Sequence, residues 1–570
     1  MKCAAVWLDG RLLFKHDPLA HLDTWKQSYG INLAPALNPG LHELRIKVLN
    51  PNGHPALLAY CKALKLYTGE HWEVSNDGKN WIYALSVDNI PPLLLSGLFQ
   101  RADQALLAQL HVFLPVFLVV AIFSLLWARV DRPYRLVRAI LTAQGIRWIL
   151  LLSWMVLAIN NIGKVPLHIG MDYSEHLRYI QYLAENQRIP LPTEGWQMFE
   201  APFFYILSAC IYKVFLNFFS METVVRILRI VPLLCGAAQV ELCYRALRYV
   251  YPGREDLQAL GVVVGGLLPM NIYMSQVVGT EPMSGFLSGI VVVLVFKLLR
   301  SPSLPSRKNF LFMGLCLGLA ILTKISAILL IFPVVFFIAY THFTGDGLTA
   351  RPVVLLAQRI SLVIGVAFLV CGWYYVRNWI ELGHFFIGGW DTSRNIMWWQ
   401  DPGYRTLKQF FSFGQALCFP IYAGVVGIWD SLYSTMWMDG FLSGICVYSH
   451  RPPWNYGFLL SSAWLSLFPS AAIFIGILGA LKKPAQSLRQ GTLFAVCCIT
   501  VFVLAILYLF LTIPIYSIGK ASYTMGLIPC YAVLCAGGFD ILTRKPLLRA
   551  GLYGIIACWA VSAYFAYFVF

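Results

Sequence analysis

Residues 170–207 read GMDYSEHLRYIQYLAENQRIPLPTEGWQMFEAPFFYIL and hold Asp172, Glu175, His176, Glu185, Glu194 and Glu200. A chain with 27 acidic residues in 570 rarely crowds them like this beside apolar runs, here residues 148–162 and 202–219. On a helix Asp172 and His176 lie one turn apart and share a face, which Tyr179 and Leu183 continue. A carboxylate beside an imidazole at a membrane surface is suited to taking a proton from an attacking hydroxyl. The plainer reading is a solvated loop whose charges face water. Three more positions carry charge where apolar residues dominate. Glu281 stands in VVGTEPMSG, Lys324 joins two half-length apolar runs in LCLGLAILTKISAILLIFP, and Arg377 ends a run in GWYYVRNWIELGHFFIG. A cation at membrane depth is costly without a partner, and one aimed at a growing negative charge would stabilise a transition state. For Lys324 the plainer reading is a side chain that snorkels to the interface. For Glu281 it is a loop acid capping a span, and for His176 a group that only orients Asp172.

The elements that must position these residues are membrane helices. The chain is 58% hydrophobic and 12% charged, which excludes a single soluble globular domain. Apolar runs of roughly 17 to 25 residues recur, the length that crosses a hydrocarbon core. The net charge of +16 would suggest nucleic acid in a soluble protein. Here Lys and Arg cluster in short loops between apolar runs, as the positive-inside rule requires, so no nucleic-acid partner is expected. Most of the 14 cysteines fall in apolar runs, and no zinc spacing appears among them. Cys3 and Cys61 lie in a polar region, where a disulfide is open to them.

Residues 1–105 differ from the rest. AAVWLDGRLLFK, LHELRIKVLN, ALLAYCKALKLYT and HWEVSNDGKNWIYAL are short β-rich runs punctuated by Asn38-Pro39-Gly40, Asn50-Pro51-Asn52-Gly53 and Asn76-Asp77-Gly78. The pattern predicts a small β-sandwich outside the cell. No signal peptide precedes it, and a shortened or misassigned start is the expectation. Residues 106–145 hold the apolar run Leu110–Trp127 and then Arg129, Arg132, Arg135 and Arg138, which put that end in the cytoplasm. Residues 146–570 follow as one transmembrane domain. Residues 201–219 are apolar but short. If they crossed, every later basic loop would move outside, so an interfacial helix is predicted there. With that parity Glu281, Lys324, Lys520 and Tyr523 all fall on the extracytoplasmic side, as does a long segment, 375–456, rich in Trp, Tyr and His. About twelve spans plus the interfacial helix are predicted.

The order of these signals resembles the GT-C fold glycosyltransferases, membrane enzymes that include protein O-mannosyltransferases and lipid A aminoarabinose transferases. Their first outer loop often reads D-E-x-x-H, followed by a helix and PPLYY. Asp172 and His176 match the Asp and His, Tyr173 stands in place of the Glu, and EAPFFY, from Glu200 to Tyr205, matches the Pro-Tyr motif. TEP at 280–282 matches the second acidic motif, and GLAILTK and WYYVRNW match two more. The resemblance covers about residues 145 to 545. A second one, of LNPGLHELRIKVLNPNGHPALLAY to galactose-binding-like jelly rolls, covers part of the N-terminal region. A structural cap without ligand is the alternative there.

The first resemblance implies a multi-pass enzyme of a cell membrane, such as a bacterial inner membrane, with its site outside the cytoplasm. It implies an inverting transfer of a sugar from a polyprenyl-phosphate donor to a glycan, lipid or protein acceptor. Asp172, Glu281 and His176 would be catalytic, Lys324 and Arg377 would bind the donor phosphate, and Glu175, Glu200, Tyr205 and Lys520 would bind substrate. No compact ligand cluster appears, so no cofactor is required and a divalent metal stays open. A transporter or flippase of a lipid-linked glycan is the rival. It predicts internal repeats and acids in mid-span, whereas the acids here cluster in outer loops.

Overall fold

A computed structural model describes residues 2–15, 30–49, 57–84, 99–127, 141–300, 306–344, 353–388, 407–444, 451–482, 487–513, 516–543 and 545–570. Strand β1 (Lys2–Leu8) is the centre of an antiparallel sheet between β2 (Arg11–Lys15) and β3 (Leu44–Leu49). Asp9 and Gly10, at φ 52° and 79°, close the β1–β2 hairpin with a two-residue turn whose positive φ suits the strand twist. Ala5, Val6 and Leu8 form the buried face of β1. Two short pairs follow, Tyr60–Cys61 with Leu66–Tyr67 and Glu73–Val74 with Ile82–Tyr83. The second of the expected turns that is described, at residues 76–78, is held by Asp77, which accepts hydrogen bonds from the backbone N–H groups of Lys79 and Asn80 at 2.8 Å. The turn expected at residues 50–53 lies outside the described residues. The described strands make one three-stranded sheet and two pairs. Cys61 is a free thiol, contrary to the disulfide left open above. Its strand belongs to a different sheet from the one that carries residue 3.

The remainder is helical. Ten described helices are long and apolar enough to cross a membrane, from Leu110–Trp127 to Pro546–Tyr567. Two further apolar stretches expected as spans fall short of that length. Arg307–Thr323 has 17 residues. The stretch at 256–276 is split into Glu255–Gly266 and Pro269–Met274. Pro269 has no N–H to continue the ladder and drives Leu268 to ψ 117°, out of the helical region. The basic linker expected at 129–138 lies outside the described residues.

Burial separates centre from periphery. The helices Glu281–Arg300 and Ala521–Leu542 are 78% buried over their apolar windows, against 6% for Leu110–Trp127. Lipid tails are as apolar as the side chains, so close approach rather than hydrophobicity must join such helices. Small residues supply it. A Cβ on Gly476 would overlap the Leu534 carbonyl, and one on Gly538 would overlap that of Ala472, so Leu467–Lys482 and Ile528–Leu542 touch backbone to backbone.

The helix Phe203–Leu216, at 14 residues, is shorter than the ten candidate spans. It starts beside Glu200, and the chain after it is tied back to the same end of the bundle. There Arg226 donates to the Gly163 carbonyl at 2.9 Å, and Arg229 to those of Val165 and Pro166 at 2.7 and 2.6 Å. Its Tyr212 hydroxyl accepts from Gln181 of the helix Tyr173–Asn186 at 3.4 Å. At that same end Asn161, which closes Ala143–Asn161, donates to Gln276 and to the carbonyl of Tyr567, and accepts from Val569 N–H at 3.0 Å. At the opposite end ion pairs join Arg147 and Arg245 to Glu241, at 3.0 and 2.6 Å, and Arg254 to Asp540 at 2.7 Å.

Candidate active site

Gly170 turns the chain at φ 142°, where a Cβ would press on Val277 at 3.2 Å. Asp172 follows in the left-handed region, φ 55° and ψ 27°, at the N-cap of Tyr173–Asn186. A non-glycine residue there costs about 1–3 kcal/mol, and Asp tolerates it better than most. Its carbonyl accepts from the N–H groups of Glu175 and His176, both at 3.0 Å. Its carboxylate caps nothing. The half-buried acid is therefore not spent on holding its own helix.

His176 is buried, 5% exposed. Its Nδ1 is hydrogen-bonded to the Tyr205 hydroxyl at 2.7 Å, and Tyr205 stacks on Tyr179 with ring centroids 3.9 Å apart. The imidazole thus pairs with Tyr205 and not with Asp172, because Asp172 stands at the cap rather than in the helical turn below it. Burial pushes the His176 pKa down. The carboxylates of Glu281, Asp172 and Glu200 oppose that shift and the Lys324 charge adds to it. The ring is neutral near pH 7.

Lys324 ends Arg307–Thr323 in an extended conformation, φ −153° and ψ 125°, and a 3₁₀ turn, Ile325–Leu330, leads into the next span. The break predicted at Lys324 is present. The residue is 8% exposed. Its ammonium donates to Glu200 at 2.6 Å and to the Thr280 hydroxyl at 3.3 Å, and lies 3.4 Å from Glu281. Glu281 opens the helix Glu281–Arg300, where the helix dipole favours an acid. Glu200 is held from behind by Tyr374, whose hydroxyl donates to the Glu200 carbonyl at 3.3 Å. Three segments distant in sequence thus meet in one buried ion cluster. Charges of this kind persist in a low dielectric only when paired and hydrogen-bonded.

A narrow cleft runs from this cluster between Glu281–Arg300 and the turn Ala521–Leu527. Glu281, Ser284, Ser288, Lys324, Ser522 and Tyr523 line it. The serines were not singled out from sequence. Their signal was there, since residues 281, 284 and 288 follow the i, i+3, i+7 spacing of one helix face. Lys520, just before that turn, directs its ammonium at Met171 Sδ, 3.3 Å away.

The other predicted residues lie apart from the cluster. Arg377 donates to the carbonyls of Ile189 and Pro190 at 3.1 and 2.9 Å and lies over the Tyr374 ring. Glu175 stands 3.7 Å from Arg178 on the helix surface. Glu194 pairs with Arg188 and Tyr182. Among the described residues no group of three His, Cys, Asp or Glu side chains is placed to hold a metal ion. Glu200 and Glu281 are both engaged by Lys324.

No protein-family model matches the chain. No curated protein matches it. Among solved structures it is similar to ArnT from Cupriavidus metallidurans bound to undecaprenyl phosphate, with 14% identity and a TM-score of 0.41 over 74% of this chain and 75% of that one. It is also similar to the oligosaccharyltransferase AglB from Archaeoglobus fulgidus in complex with an inhibitory peptide and a dolichol-phosphate, with 12% identity and a TM-score of 0.44. That match covers 74% of this chain and 56% of the AglB chain, so the protein spans just over half of that neighbour.

Proposed function

We propose that this protein is a GT-C-type integral membrane glycosyltransferase that moves a sugar from a polyprenyl-phosphate donor to an acceptor hydroxyl. One observation carries the reading. Glu200, Glu281 and Lys324 converge in a buried cluster at one end of a helical bundle, and the charges of Asp172, Glu200, Glu281 and Lys324 all act on the buried His176. Acids gathered at a helix-bundle end beside a hydroxyl-lined cleft suit sugar chemistry at an interface. They do not suit a charge path through mid-membrane.

In this reading Asp172 is the base. Its carboxylate takes the proton as the acceptor oxygen attacks the anomeric carbon, and the bond from that carbon to the phosphate oxygen breaks with its electron pair leaving on the phosphate. Attack opposite the leaving group inverts the centre. Glu281 orients the acceptor or shares the proton. Neutral His176 and Tyr205 form the dry wall behind them, which raises the worth of each charge in the site. Lys324 holds Glu200 and Glu281 in place through its ion pairs. We place the site and the β-rich N-terminal region on the extracytoplasmic side of a cell membrane, since that parity leaves the arginine-rich end inside. The acceptor is a glycan, lipid or protein hydroxyl.

Membranes that contain the protein, incubated with labelled polyprenyl-linked sugar, test this. Transfer of label to an acceptor supports the enzyme. Movement of the intact lipid across the bilayer without transfer refutes it in favour of a flippase.

A further inference from the structure

We propose that the anion-binding group of this site is Lys520, and that it takes the phosphate of the polyprenyl-linked donor together with the unpaired hydroxyl of Ser522. This rests on the transferase reading above. A lysine ammonium has three N–H donors. Those of Lys324 face three acceptors, Glu200, Thr280 and Glu281, between 2.6 and 3.4 Å away. A phosphate brought to Lys324 would meet two carboxylates already there, and like charges at such range repel. Arg377 is also committed, to two backbone carbonyls of the segment it pins.

Lys520 has the same three donors and a different setting. Its hydrogen-bond partner is the thioether of Met171, a weak acceptor. Among the described residues no carboxylate lies within ion-pair reach of it. It lies two residues before Ser522, which with Tyr523 lines the cleft beside Glu281 and Lys324. Its charge acts on Glu281. The Ser522 hydroxyl is 3% exposed and has no hydrogen-bond partner, although a buried hydroxyl normally finds one. A phosphate oxygen seated between Lys520 and Ser522 would satisfy both. Met171, which now occupies the ammonium, adjoins Asp172, so the same displacement frees the chain next to the base. The leaving phosphate gains charge as the sugar departs, and a cation held there stabilises it most at that moment.

The test is binding of labelled polyprenyl monophosphate to the purified full-length protein in mixed micelles. Lys520→Gln should weaken binding about ten- to a hundred-fold, the range for a hydrogen bond to a charged group. Lys520→Arg should recover part of it, because the charge remains and the shape changes. Ser522→Ala should weaken it about ten-fold, the low end of the range for a hydrogen bond to a charged group. That variant keeps the inference open to refutation if Lys520→Gln does not fold. Wild-type affinity in folded Lys520→Gln, or in Ser522→Ala, overturns it. Inorganic phosphate that displaces the lipid at equal concentration would make the ligand a free phosphate and overturn the lipid-linked assignment. Sugar transfer is scored separately on the wild type. Its absence, with Lys520-dependent binding intact, removes the transferase reading and leaves the anion site standing.

Discussion

At the scale of residues, the division of labour between Asp172 and Glu281 is open to direct measurement. Asp172→Asn keeps size and hydrogen bonding but removes the proton acceptor. A general base contributes about a hundred- to ten-thousand-fold, so transfer should fall by about that factor with folding unchanged. Glu281→Gln should cost less if Glu281 only orients the acceptor. Parallel initial rates on the two variants decide. Near-full transfer by Asp172→Asn beside an inactive Glu281→Gln would move the base to Glu281. His176 gives a second prediction, through pH. Burial holds its folded pKa below the ordinary value. Above about pH 6.5 the ring is neutral in both folded and unfolded chains and contributes no pH dependence. As pH falls below that, the unfolded chain takes up a proton that the folded chain resists, so stability drops. The loss of melting temperature between about pH 7.5 and 5.5 should therefore shrink in His176→Gln. An unchanged loss would mean that other groups set it. Asp172, Glu281 and Lys324 stood out in the sequence because charges are rare beside apolar runs. What they touch did not. Lys324 and Glu200 lie 124 positions apart, and nothing local marks an acid as the partner of a distant lysine rather than of a substrate.

At the scale of elements, residues 201–219 were legible as an apolar stretch too short for a span, and they form the 14-residue helix Phe203–Leu216. The helix break at Lys324 was legible because two half-length runs met there. The stretch at 256–276 looked like one continuous helix, although Pro269 divides it. In the β-rich region short runs and turns gave strands correctly, but sheet assembly depends on pairings between distant strands, which composition does not encode. The glycine contacts between Leu467–Lys482 and Ile528–Leu542 yield a third prediction. Gly538→Ala places a methyl group against the Ala472 carbonyl, where backbone faces backbone and no side chain can yield. It should destabilise the protein by about 1–3 kcal/mol, the range for overpacking a close-fitting contact. Thermal unfolding in detergent checks this, with Gly551→Ala, where a Cβ meets open space, as the neutral control.

At the scale of the whole molecule, Asp172, Glu200 and Glu281 gather at one end and the ion pairs of Arg147, Arg245 and Arg254 lie at the other, with Glu281 and Arg300 marking the two ends of a single helix. Membrane orientation follows if the basic end is cytoplasmic. Single cysteines introduced at the exposed positions Ser174, Glu185 and Arg300 of a cysteine-free variant test it. Residues 174 and 185 should react with an impermeant maleimide on intact cells, and residue 300 only after lysis. Labelling of residues 174 and 300 from the same side would overturn the assignment of the site to the outer face.

The join between Asn161 and the carbonyl of Tyr567 spans 406 positions. A ribosome adding 5–20 residues per second needs ~20–80 s to cover that distance. Throughout that time the amide of Asn161 lies at the end of a finished membrane segment without the chain that will satisfy it. Birth order and architecture are therefore opposed: a helix made early is completed by residues made 406 positions later. The growing protein must keep that polar niche hydrated, or shielded by a helper, until its tail arrives.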